Sequence, residues 1–174
     1  APLRGKKGSE YEGGVRVPFI AAWAKPDAKN KFQKKYPIAQ NAVQLQQGTV
    51  MDLYPTILSV AHVKPPKHYA LDGADLKKLF QGKEDKKHRD DFLMHFPHGE
   101  HRANYFTTYR KGDWKLIYYY HPETTGVPTW KLYNLKDDPY EKTEVSAEYP
   151  EKTASMIEQM KDRLKEENAL YPEE

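Results

Sequence analysis

The chain has 174 residues, of which 38% are hydrophobic and 30% charged, and its mean hydropathy is −0.94. The net charge is +3 with both signs interspersed, so the sequence lacks the one-sided basic run that is typical of nucleic-acid binding. The absence of cysteine excludes disulfides, Cys-ligated zinc and a Cys nucleophile within these residues. No segment is long and apolar enough to cross a membrane, and no signal peptide is recognisable. We expect one domain or a part of one, without a nucleic-acid or membrane partner.

The first distinctive stretch, residues 3–19, is basic and rich in glycine. It begins with three basic residues, Arg4, Lys6 and Lys7, which are interspersed with glycines. Because glycine tolerates positive φ, such a loop can hold an ammonium group and several N–H groups against an anionic oxygen. The apolar run at residues 15–23 then predicts a buried strand. Together these features indicate the floor of an anion site, although their spacing alone favours a solvated basic turn.

The next part of the chain predicts a surface segment followed by helices. Residues 25–41 are polar and lysine-rich, which is typical of a solvated face. Over residues 49–62, apolar side chains recur at spacings of three and four, which predicts a helix with Thr49 or Asp52 as its N-cap. Capping is a better role for Asp52 than catalysis. Residues 75–80 predict a second, short helix.

Beyond residue 90 the pattern changes to an alternation with period two. Four segments rich in aromatic and β-branched residues predict strands, at residues 91–96, 105–110, 113–120 and 129–135. Lys111 and Gly112 predict a tight hairpin turn, so we expect an antiparallel sheet. The tyrosine-rich faces could form a sugar-binding platform, but packing against a helix is the favoured interpretation. That helix is predicted at residues 149–168, and its apolar stripe consists of Met156, Ile157, Met160 and Leu164.

Three histidines, His95, His98 and His101, are spaced by three. On a helix this spacing would bring the rings together as zinc ligands. This stretch instead leaves a predicted strand through a proline and a glycine, so the rings are not expected to converge. We predict a polar loop here.

The segment that begins at Lys7 reads Lys-Gly-Ser-Glu-Tyr-Glu-Gly-Gly-Val-Arg-Val-Pro. It resembles the Lys-Gly-x-x-x-Glu-Gly-Gly-x-Arg-x-Pro motif of the sulfatases, arylsulfatases included, in the alkaline phosphatase superfamily. Three later stretches agree with this family in the same order, at residues 51–58, at 71–73, and at 110–117 followed by 132–139. Within the motif, Glu12 and Arg16 are predicted to pair across the double glycine. Four motifs in order are more specific than any one of them.

The resemblance implies hydrolysis of a sulfate ester and gives roles to several residues. Lys7 matches the lysine that contacts the sulfate group and offsets its growing negative charge in the transition state. His98, His101 and Arg102 lie in the loop that is expected to contact the organic part of the substrate, a sulfated small molecule or a sulfated glycan. Arg4 is a candidate second contact to the anion.

The resemblance also implies machinery that these residues do not contain. Sulfatases make a formylglycine nucleophile from a Cys/Ser-x-Pro/Ala-x-Arg motif, and they hold a divalent ion, usually calcium, with Asp and Asn or Gln side chains. Neither that motif nor the matching ligand positions occur in this sequence. We therefore assign no metal ligand here, expect calcium only in the parent protein, and expect a C-terminal fragment that is inactive without the missing N-terminal catalytic portion. The family suggests a periplasmic, secreted or lysosomal-type compartment, which this sequence does not indicate.

The predicted fold is an α+β part of the α/β sulfatase fold. Residues 1–82 are expected to supply the end of the main-domain sheet and a helix. Residues 83–174 are expected to form a small four-stranded antiparallel sheet with a C-terminal helix packed on it. Two alternatives remain open at this point. One is a phosphatase or phosphonate hydrolase of the same superfamily, and the other is a stand-alone carbohydrate-binding or interaction module.

Overall fold

The computed structural model describes residues 2–98 and 105–172, apart from the side chains of residues 124 and 125. The chain forms two compact units, Ala1–Val17 with Asp91–Glu174, and Pro18–Asp90. The first seventeen residues therefore belong with the C-terminal sheet. The boundary predicted between residues 82 and 83 divides two domains of a complete sulfatase, and it stays a prediction. Within the described residues, no helix has the length and apolarity needed to span a membrane. The helices are α1 (Glu12–Val15), α2 (Lys31–Lys35), α3 (Leu53–Val60), α4 (Lys77–Phe80), α5 (Pro122–Thr125) and α6 (Pro150–Glu166).

The first unit contains a four-stranded antiparallel sheet. Its strands are β1 (Asp91–Phe96), β2 (Phe106–Lys111), β3 (Trp114–Tyr119) and β4 (Trp130–Asn134), which pair in the order β1-β2-β3-β4. All four predicted strands and their antiparallel arrangement are confirmed. The hairpin turn lies one residue later than predicted, at Gly112 and Asp113, because Lys111 still pairs with Trp114. Gly112 has a φ of 57°, a conformation that favours glycine.

Both faces of this sheet are covered within the unit. Against one face lies α6, whose buried residues Met156, Met160 and Leu164 pack with Leu116 and Leu132. This confirms the predicted stripe and the predicted helix packing. On the other face the buried residues are Phe106, Ile117, Tyr119, Tyr133 and Leu135, with Tyr11 packed against them. The cover on this second face was not predicted from the sequence.

The burial of the tyrosines weakens the carbohydrate-platform interpretation of the sheet. Tyr109, Tyr119 and Tyr133 are each only 1% exposed. A sugar-binding platform needs aromatic rings whose faces meet solvent, whereas these rings meet the helix or the N-terminal segment. Of the tryptophans on the sheet, Trp130 is exposed and Trp114 packs edge-on against Tyr149.

The strand predicted at residues 15–23 is wrong. Residues Glu12–Val15 form a helical turn instead, and no strand follows in this stretch. Val17 is 76% exposed and Ile20 is 89% exposed. A strand must pair its backbone N–H and C=O groups with a neighbouring strand, and the sheet of the described residues contains no such neighbour. The predicted end of the main-domain sheet is therefore absent from the described part of the chain.

The second unit contains the predicted helix at residues 49–62, here a 3₁₀ turn at Val50–Asp52 followed by α3. Thr49 and Asp52 form a capping box in which the Thr49 N–H donates to Asp52 Oδ2 at 2.6 Å. The other oxygen, Asp52 Oδ1, accepts from the Ala74 N–H at 2.8 Å. The structure confirms Thr49 as the N-cap and places Asp52 at the third helical position of the capping box, where its carboxylate also fixes the following connection.

Candidate functional site

The glycine-rich segment forms a closed loop from Arg4 to Gly14. The Gly13 N–H donates to the Arg4 carbonyl at 2.7 Å and closes the loop at its base. A Cβ atom at Gly13 would lie 2.4 Å from the Arg4 oxygen, and one at Gly14 would lie 2.1 Å from the Ser9 oxygen. Real Cβ atoms do not approach other atoms so closely. The double glycine is therefore required because the two limbs of the loop pass each other in backbone contact.

A tight turn at Lys6–Ser9 forms the tip of this loop. The Ser9 N–H donates to the Lys6 carbonyl at 2.9 Å, and the Lys6 N–H donates to Ser9 Oγ at 3.2 Å. Gly8, third in the turn, has a φ of 88°, as a type II turn requires. Lys6 and Lys7 are both exposed, and within residues 2–98 and 105–172 neither ammonium group makes a hydrogen bond or an ion pair. The turn thus leaves the Lys7 ammonium group exposed at the tip of the loop, and its contact to an anion stays a prediction.

The base of the loop is fixed to the sheet by the residues on either side of the tip. Tyr119 donates its hydroxyl proton to Glu10 Oε1 at 2.7 Å. Burial raises the pKa of Tyr119, so its hydroxyl keeps the proton that it donates. Tyr11 packs edge-on against Tyr133 with ring centroids 6.3 Å apart. These contacts hold the C-terminal limb of the loop on β3 and β4.

The N-terminal limb is held by Arg4. Its guanidinium donates to the Glu141 carbonyl at 2.7 Å and to the Tyr133 hydroxyl at 3.3 Å, and lies 3.9 Å from the centroid of the Tyr11 ring. These contacts fix the guanidinium at the base of the loop. The predicted contact between Arg4 and an anionic substrate stays a prediction.

Glu12 does not pair with Arg16 as predicted, because it turns toward the sheet. Glu12 Oε1 lies 3.1 Å from Lys115 Nζ, and Glu12 Oε2 lies 3.6 Å from Arg110 Nη1. Lys115 Nζ also lies 2.8 Å from Glu141 Oε1. Sequence reasoning missed Lys115 and Glu141. The one available signal was the position of Lys115, which shares a strand face with the apolar residues Ile117 and Tyr119.

The structure shows the surroundings of two of the three histidines. His98 is exposed, and its ring centroid lies 5.5 Å from that of Phe96. His95 forms hydrogen bonds with Thr107 Oγ1 at 2.7 Å and with the Leu170 carbonyl at 2.6 Å. His101 and Arg102 lie outside the described residues. The substrate-contact roles of His98, His101 and Arg102 remain predictions.

Acidic and histidine side chains are the residues of this chain that could hold a metal ion. Across the part of the chain that the structure describes, no group of three such residues is placed to hold a metal ion. The chemistry that the described site offers is an exposed ammonium group on a rigid loop, which suits the recognition of an anion.

Comparison with known proteins adds the family. Residues 6–169 match the family model described as N-sulphoglucosamine sulphohydrolase, C-terminal. A sulfatase of Formosa agariphila is 33% identical, in an alignment that covers 95% of this chain and 29% of the relative. The chain thus spans less than a third of that relative's length.

Two solved structures have a similar fold. One, from a study of glycosaminoglycan metabolism in Bacteroides thetaiotaomicron, has a TM-score of 0.61 and 23% identity, and the match covers 92% of this chain and 32% of the other. The second was solved in complex with its substrate D-glucosamine-2-N,6-O-disulfate. It has a TM-score of 0.51 and 27% identity, with 66% of this chain and 23% of the other covered. The chain belongs to the sulfatase family, in which it matches the C-terminal domain.

Proposed function

We propose that this chain acts within a sulfatase that hydrolyses sulfate esters, and that Lys7 is its contact to the sulfate group. The observation that carries the proposal is the position of Lys7, exposed at the tip of a closed loop in a chain of this family. Sulfated carbohydrate is the favoured substrate class, since a structure 27% identical to this chain was solved with a disulfated glucosamine as its substrate. Aryl sulfates are a second class to test.

Charge and geometry support the role that the family motif implies for Lys7. Negative charge grows on the sulfate and the leaving oxygen as the S–O bond to the organic group breaks. A fixed ammonium group lowers the energy of that transition state without having to reorganise. The hydrogen bonds of the Lys6–Ser9 turn and the tethers at Arg4 and Glu10 supply the rigidity that this effect needs.

The nucleophile and the metal are proposed to come from outside these 174 residues. A formylglycine would supply the attacking oxygen, and a calcium ion would neutralise charge on the sulfate oxygens. The described residues bring together no set of acidic or histidine side chains that fits such an ion, so we assign it no ligand from this chain. These 174 residues by themselves are accordingly expected to release no sulfate from an aryl sulfate, and measurable turnover by a pure sample would contradict this.

The second unit carries apolar side chains that suit an interface with the rest of such a protein. Its exposed large apolar residues include Phe19, Ile20, Val43, Leu45, Val50, Tyr54, Ile57 and Val63. Exposed apolar patches on soluble proteins usually mark surfaces that another surface covers. We propose that the catalytic portion of the sulfatase covers them, in keeping with the share of the Formosa relative that this chain leaves unmatched.

The proposed reaction is tested by comparing matched esters with the complete protein that contains this chain. Release of sulfate from glucosamine 6-sulfate and from p-nitrophenyl sulfate would be measured beside release of phosphate from p-nitrophenyl phosphate. We expect kcat/KM for a sulfate ester to exceed that for the phosphate ester. A preference for the phosphate ester would move the protein to the phosphatase branch of the superfamily.

A further inference from the structure

A cluster of four charged side chains, three of them buried, lies between the Lys7 loop and the sheet. It consists of Lys115 and Arg110 on the sheet, Glu12 at the base of the loop and Glu141 after β4, and we call it the Lys115 cluster. Two cations face two carboxylates, so the cluster is balanced in charge. The side chains of Lys115 and Glu141 are 0% exposed, and that of Glu12 is 3% exposed. The proposed chemistry uses none of these four residues directly.

Glu141 touches both limbs of the loop. On the N-terminal limb, the Arg4 guanidinium donates to the Glu141 backbone carbonyl at 2.7 Å. On the C-terminal limb, the Glu12 backbone N–H donates to Glu141 Oε2 at 2.7 Å. The other carboxylate oxygen lies 2.8 Å from Lys115 Nζ, which joins this clamp to the middle of the sheet. The next residue after Glu12 is Gly13, whose N–H closes the loop on Arg4.

Such a cluster defines a position more effectively than it adds stability. A buried ion pair costs a large desolvation free energy, and apolar residues of the same volume often stabilise a fold equally well. A displacement of one member, however, leaves the remaining buried charge without its partner, which is strongly unfavourable. Displacing a loop that is held in this way therefore carries a large cost in free energy.

We propose that Lys115 and Glu141 are positioning residues that act through Glu12 to hold Lys7 where the sulfate binds. This inference rests on the proposed function of Lys7. It assigns the C-terminal sheet a part in catalysis, as the rigid base on which the sulfate-binding loop is mounted. The effect on turnover comes from the geometry of the loop, since the buried ammonium group of Lys115 is in contact with two carboxylates and faces no substrate.

The first test measures the loop in this chain without any assay of activity. Hydrogen exchange of the Gly13 and Arg16 amides reports whether the loop is closed, and exchange of the Leu135 amide reports on the sheet. In the variant Lys115→Met we expect the ratio of the Gly13 exchange rate to the Leu135 exchange rate to rise about tenfold or more, because the loop opens locally. Met160→Ala is the matched control, because it removes a buried side chain from the opposite face of the sheet. It should leave that ratio unchanged, and equal ratios in the two variants would overturn the inference.

The second test measures turnover in the complete sulfatase. A misplacement of about 1 Å can lower a rate about a hundredfold, so Lys115→Met should lower kcat about 10- to 100-fold with little change in KM. Met160→Ala should keep kcat near the wild-type value in folded enzyme. A wild-type kcat in folded Lys115→Met would overturn the positioning role. If Lys7→Ala itself leaves turnover unchanged, the proposed function fails, and the exchange ratio still decides whether the cluster orders the loop.

A further variant covers the case in which Lys115→Met does not fold. The triple variant Glu12→Gln, Lys115→Met and Glu141→Gln removes every charge that the single change would leave buried without a partner, and it keeps an oxygen acceptor for the Glu12 N–H. We expect it to fold with the same raised exchange ratio. A folded triple variant with the wild-type ratio and the wild-type kcat would contradict the inference.

Discussion

Gly13 and Gly14 lie where the loop leaves no room for a side chain. Their amide groups are also used, since Gly13 donates to Arg4 and Gly14 donates to the Tyr11 carbonyl at 2.7 Å. The double glycine of the motif thus has a structural cause in this chain, which is the contact between the two limbs of the Lys7 loop. The sequence shows which residues beside the double glycine are charged, but it does not show the residues with which they form ion pairs.

Gly14→Ala should destabilise the first unit. The new Cβ atom would lie 2.1 Å from the Ser9 oxygen, so one limb of the loop must shift, and overpacking of this kind costs about 1–3 kcal/mol. The free energy of unfolding from urea denaturation measures the effect. Gly48→Ala is the control, because its Cβ atom would meet nothing closer than Leu76 Cδ2 at 3.4 Å. Equal stability of Gly14→Ala and wild type would contradict the geometry described for the loop.

Glu144 should make the stability of the protein depend on pH. Burial raises the pKa of its carboxyl, but hydrogen bonds from the backbone N–H groups of Leu132 and Ser146 outweigh burial and lower the pKa below the usual 4.5. Because the pKa is lower in the folded state, this stabilisation is present above pH 4.5 and is lost as the pH falls through the folded value.

Denaturation of wild type and Glu144→Gln between about pH 3 and pH 7 tests this effect. The stability of the wild-type chain should fall more steeply than that of the variant as the pH drops below about 4.5. Curves that stay parallel over the whole range would show that the Glu144 carboxylate contributes no such stabilisation.

At the scale of elements, the sequence predicted the helices and strands whose apolar pattern is visible within the element itself. The four strands and α6 were found because alternation with period two and apolar spacing of three and four reflect burial of one face, which the sequence carries directly. The run at residues 15–23 failed because strand formation depends on a pairing partner, which the run does not encode. The Lys115 cluster was missed for the same reason, since Lys115 and Glu12 are 103 positions apart.

Leu164→Ala should remove much of the packing between α6 and the sheet. Leu164 is 1% exposed within the cluster that includes Leu116 and Leu132, and such truncations cost about 2–5 kcal/mol. The adjacent Lys165→Ala, on the exposed side of the helix, should change stability by no more than about 0.5 kcal/mol. Denaturant unfolding of both variants distinguishes them, and similar losses would contradict the orientation of α6.

At the scale of the whole molecule, the two units differ in how far each one covers its own apolar side chains. The sheet unit buries both faces of its sheet within itself, by α6 on one side and by the N-terminal segment on the other. The second unit leaves Val50, Tyr54 and Ile57 of its clearest helix region exposed. This difference is the basis of our proposal that the second unit meets the rest of a sulfatase, of which this chain spans only a part in its relative from Formosa agariphila.

The most direct test of the central claim compares Lys7→Ala with Lys6→Ala in the complete sulfatase. Both lysines are exposed in the same turn, so the two changes alter charge and loop stability alike, and only Lys7 matches the sulfate-contacting position of the motif. Loss of one transition-state charge contact costs about 10²–10³ in rate, so kcat/KM for a sulfate ester should fall by that factor in Lys7→Ala and by no more than a few-fold in Lys6→Ala. Equal activity of the two variants would contradict the assignment of Lys7.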